Sequence, residues 1–266
     1  MTKSPLWRSQ ICEQHLHENF FDIRVIDELS STNDYLLDEV KHRRIATPSC
    51  IVALNQTNGR GRQGRRWLSD SKNSLTFSVN YLFNRSLTES TSLPLVVALA
   101  IYDALNALHI DDIGIKWPND ILRQQKKLAG ILVECANRTQ HSSELVIGIG
   151  LNVGKNDLLQ ENVDQPLADC TNTEGVSPSR EELLALLLNH LSLYFKAFDE
   201  EGFHQFKERW LTHCLHFQQQ VALTLPDGST IEGLHEDILE DGSILVRHDA
   251  TQSVFHSGEI RLRSIA

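Results

Sequence analysis

The chain has 266 residues, of which 41% are hydrophobic, and it carries 25 basic against 35 acidic side chains for a formal net charge of −10. That length and apolar share support a main domain with a sizeable core plus a small second one. The acidic balance opposes non-specific attachment to phosphate backbones, which argues against a nucleic-acid module.

Residues 1–21 mix charged and polar groups throughout and lack an apolar h-region, so they do not read as a secretory signal. Ser31-Thr32-Asn33 then precede a helix-like stretch at 34–40, and the two hydroxyls suit either a helix N-cap or a ligand contact. An apolar strand at 50–54 leads into Gly59-Arg60-Gly61-Arg62-Gln63-Gly64-Arg65-Arg66-Trp67, four arginines among three glycines. Glycine lets backbone turn sharply and approach a ligand, and guanidinium forks match carboxylate or phosphate oxygens. The segment therefore reads as an anion site, with a solvated charged loop as the plain alternative. Its glycines also satisfy G-x-G-x-x-G, but that fingerprint needs a helix next. Here 68–73 is turn-rich and 74–81 alternates like a strand, so the dinucleotide reading fails.

The longest apolar run, 93–105, begins beside Pro94 and contains Asp103, too short and broken to span a membrane; it reads as a buried helix. Residues 115–121 and 127–134 read as the two strands of a hairpin with a polar turn at 123–126. Pro118 cannot donate to a ladder and implies an edge or irregular position that exposes Lys116, Asn119 and Asp120 to a cleft, while Trp117 reads as core. The apolar strand 145–153 carries Gly148 and Gly150 on one face, a mark of close approach by a ligand or by another backbone. A long loop is expected over 151–178, then a helix over 179–198 opened by a Ser179-Arg180-Glu181-Glu182 capping box, and a second helix over 202–213. After Gln218, short strands punctuated by Asp227-Gly228 and Asp241-Gly242 predict a separate small β-barrel. Cys12, Cys50, Cys135, Cys170 and Cys214 are scattered without C-x-x-C spacing, and His213 and His216 lack a third ligand, so no disulfide framework or protein metal site is expected. There is no Walker loop, so a nucleotide would have to be held by other means, and the arginine loop is the candidate.

Four segments in order, the arginine-glycine loop, Lys116-Trp117-Pro118-Asn119-Asp120, Lys127-Leu128-Ala129-Gly130-Ile131-Leu132 and Gly148-Ile149-Gly150-Leu151-Asn152, resemble the biotin protein ligases. The resemblance is strong over 22–152 and extends weakly through Gly258-Glu259-Ile260-Arg261-Leu262-Arg263. It implies an α+β fold: a mixed sheet packed with helices, a class II synthetase-like catalytic core over 22–216 after an N-terminal segment 1–21, and an SH3-like β-barrel over 217–266.

The resemblance further implies that biotin and ATP form biotinyl-5'-AMP, and that biotin then passes to a lysine of the biotin carboxyl carrier protein of acetyl-CoA carboxylase. Joining a carboxylate to a triphosphate brings like charges together, which calls for fixed cations and Mg²⁺ carried with ATP. By position, Ser31, Thr32, Asn33, Gln56, Gly59, Arg60, Gly61, Arg62, Lys127, Gly130, Gly148 and Gly150 match biotin contacts. Arg62, Arg65, Trp67, Lys116, Asn119, Asp120 and Asn152 match the nucleotide side, and Arg62, Lys116, Asp120 and Lys127 are the catalytic candidates. Asp120 is open to three roles: Mg²⁺ ligand, orienter of the incoming amine, or partner of an arginine. Departures are few: Gln63 stands where many relatives carry a base, and Asn58 where a small residue is common. Residues 1–21 leave no room for the DNA-binding domain of some relatives, so a cytoplasmic, monofunctional ligase without repressor activity, membrane association or nucleic-acid partner is expected. Relatives are monomers or edge-strand dimers, and the sequence leaves homodimerisation open. The competing readings are a lipoate or octanoate ligase or transferase and a non-catalytic biotin or nucleotide sensor.

Overall fold

The computed structural model describes residues 7, 9–163, 165–172, 174–249, 251–257 and 261–264. In chain order they form α1 (Ser9–His15), β1 (Asp22–Leu29), α2 (Thr32–Lys41), β2 (Ser49–Gln56), β3 (Gly59–Arg60), a single 3-10 turn (Arg62–Gly64), β4 (Arg66–Trp67), β5 (Ser74–Phe83) and α3 (Leu93–Ala107). There follow β6 (Ile113–Lys116), β7 (Asp120–Arg123), β8 (Lys126–Arg138), β9 (Ser143–Asn152), α4 (Asp157–Glu161), α5 (Arg180–Glu201) and α6 (His204–His213). The C-terminal part is β10 (Gln220–Thr224), β11 (Thr230–Ile238), β12 (Ile244–His248), β13 (Thr251–Phe255) and β14 (Arg261–Ser264).

Seven strands make the main sheet in the order β1-β2-β5-β9-β8-β7-β6. Only β1 and β2 run parallel; the other pairings are antiparallel, so the sheet is mixed as expected. Because side chains alternate along a strand, each strand serves two layers. On β9, Leu145, Ile147, Ile149 and Leu151 enter the large core shared with α3 and α5, whereas Val146 joins Leu36 and Val40 of α2 and Ile51 of β2 on the opposite face. Beyond that apolar patch the α2 face carries Thr76, Ser78, Gly148 and Gly150, and there the site lies. α3 is apolar over most of its surface, and its apolar residues are enclosed between the sheet and α5, while Asp103 and Asn106 mark the more exposed C-terminal turns. Ser179 caps α5, its hydroxyl accepting from the Glu182 amide at 3.2 Å, and Gly202 ends it at φ 78°.

Three expectations need correction. Residues 115–121 are not one strand: they are β6 and β7, folded against each other about Trp117-Pro118-Asn119, so that Lys116 pairs with Asp120. The expected hairpin turn does lie at 124–125, both residues at positive φ, and β6 is the sheet edge that Pro118 implied. The loop 151–178 contains α4, and the second helix begins at His204; Asp164 and Thr173 of that loop lie outside the described residues.

The five C-terminal strands form an antiparallel sheet in the order β13-β12-β11-β10-β14, with the two Asp-Gly pairs in its hairpin turns and Gly228 and Gly242 at positive φ. Its inward residues Val221, Leu223, Ile238, Ile244, Val246 and Leu262 run into the main core. Of the expected Gly258-to-Arg263 stretch, residues 258–260 lie outside the described residues. Among the described residues no helix is long and apolar enough to cross a membrane.

Candidate active site

One cross-strand row organises the site. Ile26, Ala53, Thr76, Gly150, Gly130, Asp120 and Lys116 are successive partners across β1, β2, β5, β9, β8, β7 and β6. The row is apolar at one end, nearly without side chains in the middle, and charged at the edge. Over its middle lies a cavity of about 420 Å³, roofed by the β3–β4 hairpin.

Two glycines are explained by what sits on them. A Cβ on Gly150 would lie 2.2 Å from Cε2 of the Trp67 indole, and one on Gly148 would lie 2.5 Å from Oδ1 of Asn33. Strand β9 thus yields its side-chain space to a hairpin residue and an α2 residue. Trp67 lies against this floor, with the Lys127 ammonium 5.5 Å from its ring centroid.

One end of the cavity is built from neutral hydrogen-bonding groups. Ser31 caps α2, its hydroxyl accepting from the Asp34 amide at 3.3 Å. The Thr32 amide and hydroxyl both donate to Gln56 Oε1, at 2.9 and 3.2 Å. Ser78 Oγ lies 2.8 Å from both the Thr32 hydroxyl and Asn33 Oδ1. Glu134 closes the network, accepting at 2.7 Å from Asn33 Nδ2 and at 2.7 Å from Arg60 Nη2. Arg60 also pairs with Asp34 at 2.5 Å, and the hydrogen bond to Asp34 and the one to Glu134 raise its pKa.

The other end is cationic. Arg62 donates to Asn119 Oδ1 at 3.1 Å, and Asn119 in turn donates to the Ile131 carbonyl at 2.8 Å, tying the arginine loop to the β6–β7 turn and to β8. Lys127 pairs with Asp120 at 2.9 Å, without the direction of a hydrogen bond, and Asn152 donates to the Lys127 carbonyl at 3.2 Å. The ion pair observed at Asp120 is thus the one with Lys127. Among the described wall residues, Arg60, Arg62, Arg65, Arg66, Lys116, Lys127 and Arg263 face a single carboxylate, Asp120. Burial lowers the pKa of Arg62 and of Lys116, and the Asp120 carboxylate opposes the shift in both. Two like charges ~6 Å apart repel by about 3 kcal/mol at an effective dielectric constant near 20. An anion entering this end would relieve that repulsion.

Every residue singled out from sequence lines this cavity except Gly59. Gly59 is buried behind the wall, where a Cβ would lie 2.3 Å from Gln56 Nε2 and 2.6 Å from the Trp67 carbonyl; its role is to let the hairpin approach Gln56. Trp117 is buried, as expected of core. His213 stacks on Tyr102 at 4.0 Å while His216 is buried near His235, so the two do not form a ligand pair. Sequence reasoning missed Thr76, Ser78, Glu134 and Arg263. The polar alternation Thr76-Ser78-Asn80 was a signal for the first two, whereas Arg263 reaches the cavity from β14 with no local signal. Among the described residues no group of three or more His, Cys, Asp or Glu could hold a metal ion.

Residues 25–152 match the model of the biotin/lipoate A/B protein ligase family. The chain is 31% identical to the bifunctional ligase/repressor BirA of Escherichia coli over 91% of its own length and 74% of that protein. It is 28% identical to the biotin–[acetyl-CoA-carboxylase] ligase of Mycobacterium tuberculosis over 89% of its own length and 87% of that protein. Among solved structures, the biotin protein ligase of Aquifex aeolicus in complex with biotin and ATP superposes with a TM-score of 0.77 at 30% identity, covering 92% of this chain and 99% of that one.

Proposed function

The chain belongs to the biotin/lipoate A/B protein ligase family and is a ligase, and from that premise we propose that it activates biotin with ATP and transfers it to a lysine of the biotin carboxyl carrier protein of acetyl-CoA carboxylase. The observation that carries the reading is one cavity with a neutral hydrogen-bonding end and a cationic end, in a chain of net charge −10. A cyclic urea with a carboxylate tail fits the first end and reaches the second.

In the first half-reaction a biotin carboxylate oxygen attacks the α-phosphorus of ATP, forming biotinyl-5'-AMP and releasing pyrophosphate. Thr32, Asn33, Gln56 and Ser78 hold the ureido ring, their mutual hydrogen bonds fixing the donors and acceptors in advance. Gly130, Gly148 and Gly150 keep the floor low. Arg62, Arg65, Lys116 and Lys127 hold the carboxylate and phosphates together and stabilise the charge that develops in transfer. Mg²⁺, carried on the phosphates, would supply Lewis-acid neutralisation there, and Asp120 with the side-chain carbonyls of Asn119 and Asn152 would be the oxygen donors available to hold it. The hairpin shields the acyl phosphate from water. In the second half-reaction the carrier amine attacks the acyl carbon, AMP leaves and one proton is lost; Asp120, at the charged edge, orients that amine.

We assign both steps to residues 22–216, with 217–266 supporting them through Arg263. The net charge of −10 supports a role without DNA binding or repression, and five free cysteines suit a cytoplasmic setting. Strand β1 offers a free sheet edge for a homodimer.

The test is exchange of labelled pyrophosphate into ATP without carrier, with biotin, lipoate and octanoate in parallel. Biotin-dependent exchange is the expected result. Exchange with lipoate alone would favour the family's other acid, and none with any acid would reduce the chain to a binding protein.

A further inference from the structure

The turn that places Lys116, Asn119 and Asp120 joins two four-residue strands at the edge of the main sheet, a weak position for residues that must hold their geometry. Its support comes from the C-terminal part. Trp117, 1% exposed, donates from its indole nitrogen to the Gly242 carbonyl at 2.9 Å across the junction. Gly242 lies in the β11–β12 turn at φ 80°, where a Cβ would meet Ser92 Cα at 2.9 Å and Leu95 Cδ1 at 3.3 Å, so the turn is wedged between α3 and Trp117. The same turn is closed by the Gly242 amide donating to Leu239 and the Leu239 amide donating to Ser243, both at 2.9 Å, and is tied to Thr91 through the Asp241 carbonyl at 2.8 Å. Just before the site, the Leu215 amide donates to the Ile115 carbonyl at 2.9 Å, and Leu215 fills the space a Cβ on Gly114 would need.

We propose that Trp117 and Gly242 are positioning residues: the C-terminal part holds the Lys116-to-Asp120 turn in register through the Trp117–Gly242 bond, and so governs the nucleotide end of the reaction while leaving the neutral end alone. The inference rests on the ligase reading above. Its physical basis is leverage. Lys116 and Asp120 are partners across the turn, and Asn119 is bonded to both Arg62 and Ile131. A shift of the turn therefore moves three cavity groups together, and displacements near 1 Å cost about 100-fold in rate.

The experiment compares the full-length protein with Trp117→Phe, which keeps an aromatic ring and removes the donor together with part of the indole's buried volume, and with Gly242→Ala. Three quantities are read: kcat and KM for ATP in pyrophosphate exchange, biotin affinity by calorimetry, and amide hydrogen exchange over 113–123. For Trp117→Phe the expected result is an exchange rate lower by about 10–100-fold, biotin affinity within about twofold of wild type, and faster amide exchange confined to the turn. Wild-type kinetics with unchanged amide protection would overturn the inference, as would equal losses of biotin affinity and rate, which mark a purely structural role. Should the wild-type protein exchange pyrophosphate with no acid, the ligase reading falls, and amide protection of the turn still decides whether Trp117 holds it. Gly242→Ala is expected to reproduce the pattern, and Trp117→Phe carries the test if that variant does not fold.

Discussion

The two ends of the cavity are built on opposite principles. At the neutral end Thr32, Asn33, Gln56, Ser78 and Glu134 satisfy one another through bonds of 2.7 to 3.2 Å, and even Arg60 has two carboxylate partners. At the cationic end Arg62, Arg65, Arg66, Lys116, Lys127 and Arg263 share one carboxylate, and burial lowers the pKa of two of them. A satisfied network is stiff, because each lost bond leaves a buried group unmatched at about 1–3 kcal/mol. An under-neutralised cluster stores repulsion that an incoming anion releases. Under the function proposed above, the first end would select by shape and the second would drive the chemistry by charge.

The sharpest way to break that division is Arg62→Ala. Arg62 is buried, touches the β6–β7 turn through Asn119 and belongs to the charged end. Removing one preorganised charge-stabilising donor costs about 10²–10³ in rate, so pyrophosphate exchange is expected to fall by that factor while biotin affinity falls far less. A loss of binding equal to the loss of rate would place Arg62 at the neutral end instead. Gly150→Ala ranks next and acts where the two ends meet. Its Cβ would overlap the Trp67 indole at 2.2 Å, and indole atoms Nε1 and Cζ2 lie within 2.6 Å as well. Overpacking of this kind costs about 1–3 kcal/mol, so the indole is displaced and KM for biotin is expected to rise roughly 10–100-fold. Recovery by Trp67→Phe in the double variant would confirm the clash as the cause; no recovery would exclude it.

Much of this architecture was legible in the sequence, and what was not has a common cause. Glycines, arginines and the apolar alternation of 145–153 are local signals, and they located the arginine-glycine loop, the strand and the low floor. The fold of Lys116 back onto Asp120 was hidden because 115–121 has the composition of a single strand, and only the pairing of β6 with β7 separates the two. Glu134 meets Asn33 across 101 residues and Arg60 across 74. Such partners follow from sheet order, which periodicity does not encode. Gly59 matches a biotin-contact position by resemblance; in the structure it is buried, and a Cβ there would meet Gln56 and the Trp67 carbonyl. Glycine in a ligand loop marks closeness without saying what comes close.

Ser31 gives the smallest expected effect and the finest discrimination at the neutral end. Its hydroxyl accepts from the Asp34 amide and caps α2, while its O–H donor stays available to a ligand. Loss of a serine cap costs about 1 kcal/mol, which lowers Tm by roughly 2–4 °C in a protein of this size. Ser31→Ala is therefore expected to shift Tm by that amount in calorimetry while biotin affinity stays within about threefold, because Thr32, Gln56 and Ser78 keep their mutual bonds. The opposite pattern, an unmoved Tm with affinity reduced tenfold or more, would mean that the hydroxyl turns from the helix to the ligand. The neutral end would then be completed by its substrate, as the cationic end is, and the contrast between the two would narrow to charge alone.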